Sequence, residues 1–401
     1  MNTFNFPQIL SAANSEGLAA SQKKLTGSLV LVAVFAALFP MATLHAQSVM
    51  SSVRPEESHA NIEAYWSPSR ILNATHIVAN AKVGANNLPD AEPAPPATGA
   101  VVRAKGSAPA AIGTDMQKVI VPEAYRTNLK KLVTPNATVV PNSASTYGAS
   151  FTTTRVFPDA AVTAYPFITA GKLYFSDSKT GLDYLCSASV LRQRIVVTAG
   201  HCVANASTVA SRRYFYSNFY FIPAYSDGMA PVGAWTANKL WVGPDWYNSD
   251  GSVPNAQDVG ILVMNDQNGL KISDYTGYLG WSTGGLANDD VVMLGYPCNL
   301  DDCGKMQVNY AHTYAYGGNN TYVYGSAMKG GSSGGPWIKD FGVEPVSDNP
   351  NSDLGNNYLV GVTSYGPMNT GLMYQGASQF DSRFISLLNS ACGAANSGNC
   401  N

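Results

Sequence analysis

Residues 329–337 read Lys-Gly-Gly-Ser-Ser-Gly-Gly-Pro-Trp (KGGSSGGPW). The serines stand between two pairs of glycines, with Ser333 beside the second pair. Such glycines let the chain turn sharply and bring its main-chain N–H groups close to a bound molecule. A hydroxyl on one side and N–H groups on the other is what acyl transfer needs: a nucleophile, and donors aimed at the developing oxyanion. The string alone describes a flexible linker equally well. Its meaning depends on what stands upstream.

Upstream, Cys186 to Val203 reads CSASVLRQRIVVTAGHCV. The β-branched run Ile195–Thr198 predicts a strand, and His201 follows at its end between two cysteines that could bridge across it. A lone histidine is commonly structural. Residues 255–264 read NAQDVGILVM, so Asp258 heads the apolar run Val259–Met264. A single aspartate there is commonly a turn or cap residue. Together the three supply what nucleophilic serine chemistry requires. The base takes the hydroxyl proton, and the acid fixes the tautomer of the base and stabilises its cation.

TAGHC (198–202), DVGIL (258–262) and GSSGGP (331–336), in that order, resemble the chymotrypsin/trypsin-like serine endopeptidases. The resemblance runs from about Thr163 to Leu388 and is nearer in style to the bacterial glutamyl endopeptidase branch than to digestive trypsins. It implies an all-β fold of two antiparallel Greek-key β-barrels packed at an angle. His201 and Asp258 would come from the first barrel and Ser333 from the second. It also implies a Ser-His-Asp triad, an oxyanion hole from the N–H groups of Gly331 and Ser333, and no cofactor. The family's disulfide around the histidine matches Cys186–Cys202. Thr363, Ser364, Tyr365 and Gly366 resemble the strand that lines the specificity pocket and pairs with substrate backbone. Ala327 falls where trypsin-like enzymes carry an acid, which argues against Lys/Arg specificity, because a buried cation would lack its counter-charge. Ala327, Met328 and Thr363 would leave a modest, partly apolar pocket, suited to a neutral or acidic side chain before the scissile bond. One departure stands out. The family's zymogens usually carry an aspartate before the nucleophile to pair with a new amino terminus; here that residue is Ser332.

The rest of the chain agrees in texture. In 401 residues, Lys and Arg number 24 against 26 Asp and Glu, so the charge points to neither nucleic acid nor a polyanion as partner. The 37 glycines and 22 tyrosines, with few long helical patterns, favour an all-β protein. The aromatic run Arg212–Ala224 could stack bases, but its near-continuous pattern suits a sheet strand better. Phe167–Phe175 reads as strand, turn, strand. Trp235–Trp246 and Val259–Met264 are expected to complete the first barrel, and Ser382–Asn389 a short C-terminal helix. Residues 342–357 form an acidic, Asn-rich loop whose spacing matches no calcium loop, although calcium prefers such ligands.

Four regions are expected. Residues 1–46 read as a signal peptide, with Lys23 and Lys24 before the apolar run Leu25–Leu44 and a cleavage site after Ala46. An uncleaved membrane anchor is the alternative, since the run is about long enough to span a bilayer. Residues 47–155 read as a propeptide or secretion spacer, low in complexity over 85–113, with short elements around Ile62–Val78 and Met116–Val140. The bond after Arg155 is the candidate processing junction. Residues 156–268 and 269–401 would be the two barrels. Export makes disulfides plausible for the six cysteines. Local spacing suggests Cys298–Cys303, and Cys392–Cys400 follows by elimination. Metal binding is the alternative, but there is no C-x-x-C pair, and no metal site is expected. The chain thus reads as a secreted, monomeric serine endopeptidase acting on protein or peptide substrates. No nucleic-acid partner and no lasting membrane association are expected. An inactive protease-like binding module and a retained surface protein are the competing readings.

Overall fold

The computed structural model describes residues 49–54, 57–81, 100–110, 115–130, 149–342, 356–367, 371–393 and 398–400. The expected export segment, most of the Ala/Pro-rich stretch and most of the acidic loop lie outside these residues.

Twelve strands build two closed barrels. The first holds β1 (Ala170–Asp177), β2 (Leu182–Val190), β3 (Ile195–Thr198), β4 (Ser217–Pro223), β5 (Trp235–Val242) and β6 (Gly260–Met264). The second holds β7 (Asp290–Gly295), β8 (Gln307–Gly318), β9 (Thr321–Gly325), β10 (Pro336–Lys339), β11 (Tyr358–Tyr365) and β12 (Tyr374–Gln379). The first runs β4-β1-β2-β3-β6-β5 and closes through β5 onto β4. The second runs β10-β7-β8-β9-β12-β11 and closes through β11 onto β10. The two orders are the same topology. In each, the fourth strand returns beside the first, which is the Greek-key arrangement. All barrel pairings are antiparallel. The helix α1 (Ser382–Cys392) follows, with Phe384, Leu387, Leu388 and Ala391 turned inward at helical spacing.

Strand composition explains the closure. Every residue of β1, β3, β6 and β11 is buried; β6 reads as a continuous apolar run, while β1 and β11 also bury polar side chains such as Lys172, Asp177 and Ser364. The aromatic run is core: Phe219, Tyr220, Phe221 and Ile222 are buried in β4. A smaller cluster fills the second barrel around Met293, Tyr324, Met328 and Trp337. Phe167–Phe175 is not strand, turn, strand. Phe167–Thr169 is a 3-10 turn leading into the single strand β1. Pro166 ahead of it favours a turn over an extended run.

The described part of 49–130 is more ordered than its composition suggests. Residues 50–53 pair with β5, 75–76 with β2, 103–104 with 281–282, and 118–119 with 229–230. Two short helices, His59–Tyr65 and Pro68–Asn73, are capped by Ser58 and Ser67. Trp66 packs on Tyr174 and Tyr220 and donates its indole N–H to the Asn218 carbonyl at 2.7 Å. None of these pieces could bury its apolar side alone; the barrels supply the partner. Residues 151–155 pair with β8, and the Val156 N–H donates to the Met306 carbonyl at 3.0 Å. The bond after Arg155 is therefore held in sheet. It is a poor processing site in the folded chain, because a protease must bind its target extended and unpaired.

Candidate active site

Asp258 is fully buried at the head of β6. Burying a carboxylate is costly unless donors surround it. Here one oxygen, Oδ1, accepts the His201 main-chain N–H at 2.7 Å. The other, Oδ2, accepts His201 Nδ1–H at 2.8 Å and the Ser364 hydroxyl at 2.6 Å. A proton on Nδ1 leaves the lone pair on Nε2. That nitrogen is buried and has no hydrogen-bond partner among the described residues.

The local chain explains this placement. His201 lies on a 3-10 turn, Gly200–Cys202, at the end of β3. Gly200 is required there, since a Cβ would stand 2.9 Å from the Trp246 ring and 3.1 Å from Asp258 Oδ1. The Cys186–Cys202 bond ties the turn back to β2.

The glycine loop meets the same strand end. A Cβ on Gly334 would fall 2.7 Å from the Ala199 nitrogen and closer still to Thr198 Oγ1. Ser333 is half-buried, and its carbonyl accepts the Ser187 N–H at 2.7 Å. Gly331 has φ of 100°, a conformation open to glycine. In residues 331–335, the N–H groups of Ser332, Gly334 and Gly335 donate to Lys329, Thr363 and Ser332 carbonyls. Those of Gly331 and Ser333 have no acceptor among the described residues. The loop thus carries a half-buried hydroxyl and two N–H groups without an acceptor among the described residues, and it packs on the end of β3 that leads to His201.

The expected pocket residues are arranged differently. Met328 is part of the second barrel's core, and the Thr363 hydroxyl accepts the Trp337 indole N–H at 2.8 Å. Neither side chain faces open space, because a buried indole and a core cluster already use them. Ser364 serves Asp258. The Tyr365 ring is buried over Gly376, where a Cβ would meet it at 2.0 Å. Only Ala327 and Gly366 stay half-buried. Trp246, Ser187 and Gln375 also touch the site, but no local pattern in the sequence marks them.

All six cysteines are paired, as Cys186–Cys202, Cys298–Cys303 and Cys392–Cys400. Ligand atoms of Cys186, His201 and Cys202 lie within 4.8 Å of one another. The two sulfurs are bonded together and His201 Nδ1 is held by Asp258, so this cluster offers no metal its usual thiolates. Among the described residues, no helix is long and apolar enough to cross a membrane.

An upstream segment reaches the site. Thr75 and His76 run parallel to Tyr184 and Leu185 of β2, just before Cys186. The His76 ring lies against Gly330, where a Cβ would meet it at 2.1 Å. Asn80 and Ala81 then run parallel to Ser252 and Val253, on the loop that carries Asp258.

No curated protein matches the chain. Among solved structures it is similar to the protease Anisep from Arthrobacter nicotinovorans, at 28% identity and a TM-score of 0.47, covering 57% of this chain and 97% of that one. It is also similar to the thermostable serine protease AL20 from an extremophilic microorganism, at 24% identity and a TM-score of 0.47, covering 56% and 96%. A Glu endopeptidase in complex with MPD matches at 20% identity and a TM-score of 0.45, covering 60% and 95%. The Trypsin family model matches residues 160–383, more than half of the chain and the whole of both barrels, so this chain belongs to the Trypsin family of serine proteases.

Proposed function

We propose that the protein is a secreted serine endopeptidase that cleaves peptide bonds through an acyl-enzyme. Ser333 attacks the carbonyl carbon. His201 Nε2 takes the hydroxyl proton and returns it to the leaving amine. Asp258 holds the ring and stabilises its charged form, and the N–H groups of Gly331 and Ser333 receive the oxyanion. Water then repeats the sequence to release the acid product. The observation that carries this reading is the buried Asp258–His201 pair, whose outer nitrogen has no hydrogen-bond partner among the described residues.

The upstream segments support a precursor. Residues 75–76 pair just before Cys186, residues 80–81 pair on the loop before Asp258, and His76 rests against Gly330 of the loop that carries Ser333. A polypeptide substrate would compete with this segment for the same strand edges. Export is read from residues 1–46 alone.

A fluorophosphonate probe tests the assignment. Labelling mapped to Ser333, lost in Ser333→Ala together with casein hydrolysis, is the expected result. Labelling that appears only after proteolytic removal of the upstream segments would identify the inhibited precursor. Full hydrolysis by Ser333→Ala would sink the proposal.

A further inference from the structure

Residues 329–335 hold four glycines, so the loop that would form the oxyanion site has few side chains with which to hold its own shape. Its carbonyls are pinned from outside. Gly330 accepts the Cys298 N–H at 2.7 Å, Gly331 the Ser187 hydroxyl at 2.9 Å, and Ser333 the Ser187 N–H at 2.7 Å. Each bond turns a peptide plane so that its N–H points the other way.

One side chain of the loop is also held. Ser332 Oγ donates to the Lys329 carbonyl at 2.6 Å and accepts Gln375 Nε2–H at 2.6 Å. Gln375 stands on β12, 2% exposed. Its Oε1 accepts the Ser326 hydroxyl at 2.9 Å, and Ser326 Oγ in turn accepts the Met328 N–H at 3.2 Å. A single buried amide therefore clasps the strand-side start of the loop and the residue next to Ser333. Ser332 supplies half of each peptide on either side of it, so holding its side chain fixes the plane that carries the Ser333 N–H.

We propose that Gln375 is a positioning residue for the oxyanion site. This rests on the hydrolase reading above. Ser326, Gln375 and Ser332 are all uncharged. The clasp needs no ion pair and no newly cut chain terminus. The amino acid at the start of a processed chain should then have no bearing on turnover.

The test compares variants of the full chain, expressed for export and collected in its exported form. Gln375→Leu keeps the volume and removes the donor. It should lower kcat about ten- to a hundredfold while KM stays within about threefold, since the loss is confined to transition-state contacts. Phosphonate labelling of Ser333 should slow by a similar factor. Ser332→Ala removes the same bond from the other side and carries the test if Gln375→Leu does not fold. The double variant should lose less than the sum of the two single losses, because the Gln375–Ser332 bond is common to both. Gln375→Glu adds a readout that packing alone would not move. Its protonated carboxyl can donate to Ser332 and its ionised form cannot, so the ratio of its kcat to wild type should rise as pH falls. A folded Gln375→Leu with wild-type kcat, or additive losses in the double variant, would overturn the proposal while leaving the hydrolase reading intact. A wild-type protein that never labels at Ser333 would overturn both.

Discussion

The Ser364 hydroxyl and the His201 ring N–H both donate to one oxygen of Asp258, at 2.6 and 2.8 Å. Ser364 thus gives its side chain to the buried acid. Its removal leaves a fully buried carboxylate short of one donor, which costs about 1–3 kcal/mol. Ser364→Ala should lower kcat by roughly tenfold or less with little change in KM. Asp258→Asn should cost about four orders of magnitude, because an amide can hold the ring in the wrong tautomer. Steady-state kinetics on a peptide substrate separates the two, and a Ser364→Ala variant that raised KM alone would return Ser364 to the substrate.

The segment over the site is anchored at Trp66, 4% exposed between the upstream helices and β4. Trp66→Ala should cost about 3–5 kcal/mol of docking in the uncleaved chain. The freed segment would expose Ser333, so phosphonate labelling of the uncleaved chain should accelerate severalfold. A cleaved chain that has lost the segment should not respond. Equal labelling of both uncleaved chains would show that residues 75–81 do not guard the site.

Lys172 on β1 is buried, with Nζ donating to the Cys303 carbonyl at 2.9 Å and facing the rings of Tyr174 and Tyr225. Burial lowers its pKa from 10.5 to about 7, opposed only in part by Asp227. Between these two values the unfolded chain binds more protons than the folded one, so stability should rise with pH through that window. Below it both states are protonated and the full penalty, on the order of a few kcal/mol, remains. Lys172→Met should flatten this dependence. Urea unfolding midpoints at about pH 6 and pH 9 measure it, and parallel curves for variant and wild type would remove Lys172 as the cause.

Cys186 and Cys202 are separated by 16 residues, and their bond closes the loop that ends in His201. A loop of this length constrains the unfolded chain by about 3 kcal/mol. Replacing both with serine should lower Tm by roughly 6–12 °C. It should also lower kcat, since the turn carrying His201 loses its tie to β2. Calorimetry and kinetics on the same preparation read both effects.

The residues of the proposed site stand out in the sequence wherever their pattern is local. TAGHC, DVGIL and GSSGGP each combine a reactive side chain with the glycine or β-branched neighbours that place it, and these combinations survive as short strings. Strands such as β3 and β6 were legible for the same reason, since they read as apolar runs. The 3-10 turn at Phe167–Thr169 was not, because its apolar residues carry the same pattern as a strand and only the turn after Pro166 separates them.

What only the tertiary structure decided lies in side chains that meet across the fold. Ser364 reaches Asp258 over 106 residues, Gln375 reaches Ser332 over 43, and Trp337 takes the Thr363 hydroxyl over 26. A hydroxyl or amide in a strand looks the same in sequence whether it faces substrate, core or a partner's carboxylate. Strand register alone assigns it. The same holds for residues 50–53 and 75–76, whose short polar sequences acquire structure because barrel edges offer them backbone partners. The sequence by itself determined which groups could do the chemistry. Barrel closure decided which of them are free to act, because a hydrogen-bonding group already held by a buried neighbour has nothing left to offer a substrate.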